Sequence, residues 1–120
     1  MIQSETGLTV EELERRYAAN LTHCFDFSPS HGWLPLVAEL LERVTALHPD
    51  IEIAQIKSKY ASLRFYVNET SDPVHELIDE YEKRSERVCE DCGAPGYPRY
   101  PRGRWVVTCC DACAERRAAG

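Results

Sequence analysis

Two Cys-x-x-Cys pairs, Cys89/Cys92 and Cys110/Cys113, limit the folds open to this chain more than any other feature. The segment 93–109 separates the pairs, a length of 17 residues that belongs to four-thiolate zinc sites. Two residues between cysteines let one tight turn aim both sulfurs at a single ion. Gly93, directly after the first pair, suits the left-handed residue such a turn needs on leaving. Four thiolates fill a tetrahedral ion and leave no open position, so the expected Zn²⁺ is structural, not catalytic. Cys109 competes with Cys110 as a ligand, but only Cys110 leaves two residues before Cys113.

The chain has 120 residues and six cysteines. Its length suits one body, residues 1–88, with a metal-stapled appendage, residues 89–120. No basic-then-apolar leader opens the sequence and no apolar run reaches membrane-spanning length. The expectation is a cytoplasmic protein that makes no membrane contact, its thiols reduced and free for metal. Charge divides unevenly. Residues 1–83 carry 7 Lys+Arg against 15 Asp+Glu, a net −8, and residues 84–120 carry 7 against 5, a net +2. Four thiolates on one Zn²⁺ would bring the second part to about zero. An acidic body argues against general affinity for nucleic acid, which needs a net cationic surface.

The spacing predicts an α+β fold: three helices packed on a short antiparallel hairpin, continued by a C-terminal zinc ribbon. The first helix, about 9–21, opens on a reciprocal capping box between Thr9 and Glu12 and carries Leu13, Tyr17 and Leu21 on one face. Residues 25–30 read as a loop. The second helix, about 31–48, is capped by Ser30 or His31, tolerates Pro35 in its first turn, and has the strongest apolar stripe: Trp33, Val37, Leu40, Leu41, Val44 and Leu47. Strand-like runs at 51–57 and 62–67 predict a hairpin, with Ile56 out of phase with Ile51 and Ile53, which points to a bulge or two-sided burial. The third helix, about 72–88, has Asp72 as cap and Pro73 in its first position. No Gly or Pro separates it from Cys89, so the ribbon is expected to sit rigidly on its end. Within the ribbon, short strands at 96–100 and 104–108 lead to a brief basic tail from Ala114.

Gly32-Trp33, Gln55-Ile56-Lys57-Ser58-Lys59-Tyr60, Leu63-Arg64-Phe65-Tyr66-Val67, Arg84-Ser85 and Cys89-Glu90-Asp91-Cys92-Gly93-Ala94-Pro95-Gly96 occur in that order. Together, over residues 31–113, they resemble a family of small uncharacterised proteins of tailed phages and prophages. In that family the hairpin holds two glycines where this chain has Ala61 and Ser62, and the last metal ligand, here Cys113, varies between Cys and His. The resemblance implies a phage or prophage context and a metal knuckle, without an activity.

Tyr97, Arg99, Tyr100, Arg102, Arg104 and Trp105 interleave aromatic and cationic groups between the cysteine pairs. They suit stacking on bases with arginines on phosphates. Equally, the aromatics suit packing against the third helix, or the set suits contact with an acidic protein surface. Glu76, Asp79, Glu80 and Glu82 read as the wet face of a helix, or as a patch imitating a nucleic-acid backbone. His23, Cys24, His31 and His48 lack ligand spacing. No Ser/His/Asp set, Gly-rich phosphate loop or open metal position is visible, so no enzyme activity is expected. The function expected is recognition of a macromolecular partner, in the first place a protein, as a phage-type inhibitor of host machinery or defence such as an anti-CRISPR. The alternative is a nucleic-acid-binding ribbon acting in transcription or DNA transactions.

Overall fold

The computed structural model describes residues 8–119. It is a mixed α+β arrangement of four helices, a three-stranded mixed sheet and a separate two-stranded hairpin. Helices α1 (Val10–Arg16), α2 (Leu34–Leu47), α3 (Asp72–Ser85) and α4 (Asp111–Ala119) alternate with β1 (Asp26–Ser28), β2 (Ile53–Lys59), β3 (Ser62–Val67), β4 (Tyr97–Arg99) and β5 (Val107–Cys109). A 3-10 turn, His31–Trp33, leads into α2.

The core forms where α1, α2 and α3 cover the sheet. Val37, Leu40, Leu41 and Val44 of α2 are buried with Ile53, Ile56, Leu63 and Phe65 of the sheet and Val74, Ile78 and Tyr81 of α3. Each such aliphatic side chain contributes about 1.5–3 kcal/mol. Trp33 is completely buried and donates its indole N–H to Val88 O at 2.7 Å, which fixes the start of α2 against the chain leaving α3.

Ile56 owes its phase to a bulge. The register passes from Ile53 opposite Val67 to Gln55 opposite Tyr66, so Ala54 is extra, and both Ile53 and Ile56 reach the core. The strands join through Tyr60 and Ala61, both at positive φ (54° and 65°), the pattern of a two-residue type I′ turn. A type I′ turn needs left-handed backbone at both positions whichever residues occupy them.

Several boundaries differ from the sequence-based expectation. The 25–30 loop contains β1, which runs parallel to β2 in the register Phe27 opposite Ile56. Three residues are too few to show an alternation, and the strand exists because β2 offers it a partner. The sheet is therefore three-stranded and mixed, not a lone hairpin. The first helix stops at Arg16, and turns continue to His23. There the Asn20 amide donates to Pro49 O and Ile51 O, while Asn20 O accepts from Ile53 N–H, contacts that redirect the chain from helix to sheet. Thr9 Oγ1 accepts from Glu12 N–H at 3.0 Å, but the Glu12 carboxylate pairs with Arg15 and Arg16 and does not return to Thr9. Ser30 makes no side-chain cap, its hydroxyl being engaged by Glu90. The cap of α3 is Ser71, one residue before the expected Asp72, and α3 ends at Ser85. The expected tail is α4, a helix of nine residues.

The outer edge of β3 is closed by α3. Leu63 N–H bonds Ser85 Oγ and Phe65 N–H bonds the Glu82 carboxylate, both at 2.9 Å, so that edge offers another strand no free donors there.

Candidate metal centre

Cys89 follows α3 by one turn, and Cys92 lies three residues on in the same knuckle. Cys110 follows β5 directly, and Cys113 lies in the first turn of α4. The four Sγ atoms lie within 4.8 Å of one another. Cys92 Sγ and Cys110 Sγ are 3.7 Å apart. This is far beyond a disulfide, and it matches the edge of about 3.8 Å in a tetrahedron of sulfurs about 2.3 Å from a central Zn²⁺. Cys110 belongs to the cluster; Cys109 does not. Cys109 is instead buried in a small apolar cluster with Cys89, Val107, Cys113 and Ala114.

The electrostatics suit a cation. Burial pushes the Cys89 thiol up, but the backbone N–H groups of Cys92, Cys110 and Asp91 outweigh it and bring the thiol down to about 7. Burial and the neighbouring sulfurs of Cys110, Cys89 and Cys92 push Cys113 up to about 12. Four thiols so close resist full deprotonation, and a divalent ion at their centre would cancel that cost and hold all four as thiolates. Arg116 lies 2.8 Å from Cys113 Sγ, and Arg117 makes a two-bond pair with Asp91 at 2.8 Å, which ties α4 to the first knuckle. The donor set and its surroundings fit a thiolate-bound ion.

Two cradle residues escaped sequence reasoning. Glu90 is buried, with one carboxylate oxygen bound by the hydroxyls of Ser30 (3.0 Å) and Ser58 (2.8 Å) and the other by Thr108 N–H (2.9 Å). Inside a Cys-x-x-Cys knuckle an acidic residue looks like a surface residue, and no local pattern marks it otherwise. Gly32 packs its backbone onto the knuckle: a Cβ there would stand 2.1 Å from Cys89 O. Its N–H donates to Glu90 O at 2.6 Å. The Gly32-Trp33 pair was legible as a helix opening, not as a seat for the knuckle. Gly93 has φ +85°, as the turn requires.

No family model, curated protein or solved structure matches this chain.

The cysteine unit is thus clamped to the body at three places. Gly32 and Trp33 grip the knuckle, Glu90 bridges to Ser58 of β2, and Thr108 Oγ1 donates to Ala61 O at 2.7 Å. The β4–β5 hairpin projects from this base. Tyr97, Tyr100 and Trp105 are 54%, 63% and 64% exposed, so they do not pack against α3. The physical reason is that α3 spends its apolar face on α2 and β3, leaving the hairpin nothing to cover. Arg99 lies over the Tyr97 ring at 4.5 Å and pairs with Asp111 at 2.8 Å. Arg102 donates Nε–H to Arg117 O, and Arg104 is exposed. His23, Cys24, His31 and His48 form no metal-ligating group among the described residues. No described helix is long and apolar enough to cross a membrane.

Proposed function

We propose that Cys89, Cys92, Cys110 and Cys113 hold one structural Zn²⁺, making residues 89–119 a zinc ribbon, and that the protein is a non-enzymatic binding protein recognising a macromolecular partner, in the first place a protein. One observation carries the reading: Tyr97, Tyr100 and Trp105 are all exposed on a unit whose backbone is clamped to the body. Large exposed aromatics beside arginines are the residue types that dominate protein-interface energetics, and a rigid mount lowers the entropy lost on docking. The phage or prophage context rests on the sequence resemblance, which carries no activity, and inhibition of host machinery is the role we propose within that context. Exposed aromatics also favour a second reading, stacking on the bases of a single strand.

Elemental analysis of purified protein tests the metal, with one zinc per chain expected and none rejecting it. Capture from a bacterial lysate tests the partner. A stoichiometric protein that survives nuclease and is lost with Tyr97→Ala/Tyr100→Ala/Trp105→Ala supports the reading, and recovery of nucleic acid alone replaces it with the second.

A further inference from the structure

Between the β4–β5 loop and α4 lies an open cleft of about 880 Å³. Pro101, Arg102, Arg104, Trp105, Val107 and Arg117 supply most of its wall, and no Asp or Glu lines it. In a chain of net charge −6 this is a local reversal of sign. The three arginines are not equivalent. Arg117 is matched by Asp91 through two bonds, so its charge is largely spent within the fold. Arg102 uses Nε on Arg117 O and keeps its terminal nitrogens. Arg104 is exposed and has no side-chain hydrogen bond or ion pair among the described residues. Two guanidinium groups therefore face the cleft with charge to offer, beside the exposed Trp105 ring.

We infer that this cleft docks an acidic peptide segment of the protein partner, carboxylates on Arg102 and Arg104 and an apolar neighbour against Trp105. The inference rests on the protein-binding reading above and names the chemistry of what is bound. Charge complementarity selects the occupant. Guanidinium groups pair with carboxylates through paired N–H bonds, and an indole covers apolar side chains next to them. A long polyanion fits less well, because beyond the two arginines it meets the field of a chain whose first 83 residues carry net −8. A short acidic segment needs only the cleft.

The test uses the full zinc-loaded protein and three fluorescein-labelled probes of about ten units at low salt, where exposed charge is least screened: alternating Glu-Leu, alternating Gln-Leu, and oligo-dT. Anisotropy is expected to show binding of the Glu-Leu probe, weakened about tenfold by Arg104→Ala and by Arg102→Ala, the cost of one charge-assisted contact. Amide shifts should fall at 102–107 and 116–119. The exposed Arg104→Ala variant is expected to keep wild-type circular dichroism and zinc content. Equal binding of the Glu and Gln probes, tighter binding of oligo-dT, or no binding of the Glu-Leu probe at millimolar concentration would each overturn the inference. A captured protein partner lost with the Tyr97/Tyr100/Trp105 triple variant but retained by Arg104→Ala would leave the protein-binding reading standing while removing this cleft from it.

Discussion

Glu90 accepts the backbone N–H of Thr108 at 2.9 Å, so the first knuckle and the strand leading to the second are joined by a buried carboxylate as well as by the sulfurs. The same side chain gathers the hydroxyls of Ser30 and Ser58, and so also holds the knuckle to the turn before α2 and to β2. Metal site and body are coupled through it.

Glu90→Ala leaves the buried Thr108 N–H without a partner and strips the two serines of theirs. The expected loss is about 3 kcal/mol, since each buried unsatisfied donor costs about 1–3 kcal/mol. Glu90→Gln keeps an acceptor and should lose about half as much. Urea unfolding of zinc-loaded protein measures both, and a Glu90→Ala variant as stable as wild type would show that the carboxylate is not a structural tie.

Gly32→Ala places a methyl 2.1 Å from Cys89 O, a backbone atom fixed by its own neighbours. Either the start of α2 or the knuckle must move. Destabilisation of about 3 kcal/mol or more is expected from such overpacking. Weaker zinc retention against a chelator should accompany it, because the displaced group belongs to a cysteine of the cluster.

Tyr60→Asn should stabilise the protein by about 1 kcal/mol, because Asn tolerates left-handed backbone that costs most L-residues about 1–2 kcal/mol. Tyr60 is exposed and its φ is 54°, so little packing is lost. Ala61 is the poorer target: it is buried and its carbonyl receives the Thr108 hydroxyl. Thermal denaturation reads the gain.

Burial raises the Glu82 carboxyl above its ordinary 4.5, against a smaller lowering by the Phe65 N–H. The folded chain then holds this proton more tightly than the unfolded one. The group therefore disfavours the fold above its folded pKa, and that burden lifts as pH falls through the folded value toward 4.5. Glu82→Gln retains an oxygen for Phe65 N–H and removes the charge. The variant should be at least as stable as wild type at pH 7, and comparison of denaturation midpoints between pH 7 and pH 5 should show it lacking the wild-type gain on acidification.

The elements legible in the sequence are those whose cause is local. The stripe Val37-Leu40-Leu41-Val44 repeats at helical spacing, so α2 and its buried face follow from residues alone. The four cysteines declare their cluster by spacing, and the choice of Cys110 over Cys109 agrees with the sulfurs that gather. Strand β1 left no mark because its three residues are ordered by a neighbour from the far side of α2. The arginines 99, 102 and 104 read as one cationic group, yet Asp111 engages Arg99 and Arg117 O engages Arg102.

By itself, then, the sequence determined a helical face, a pair of adjoining strands and a four-sulfur cluster, since periodicity and ligand spacing act over short stretches of chain, while the choice of a bulge over two-sided burial came from the register. Only the tertiary structure decided that Glu90 would be a buried tie, that Gly32 would seat the knuckle, and that three aromatics would stand in solvent. Each of these depends on which distant backbone groups arrive alongside, and burial and hydrogen bonding are properties of that meeting.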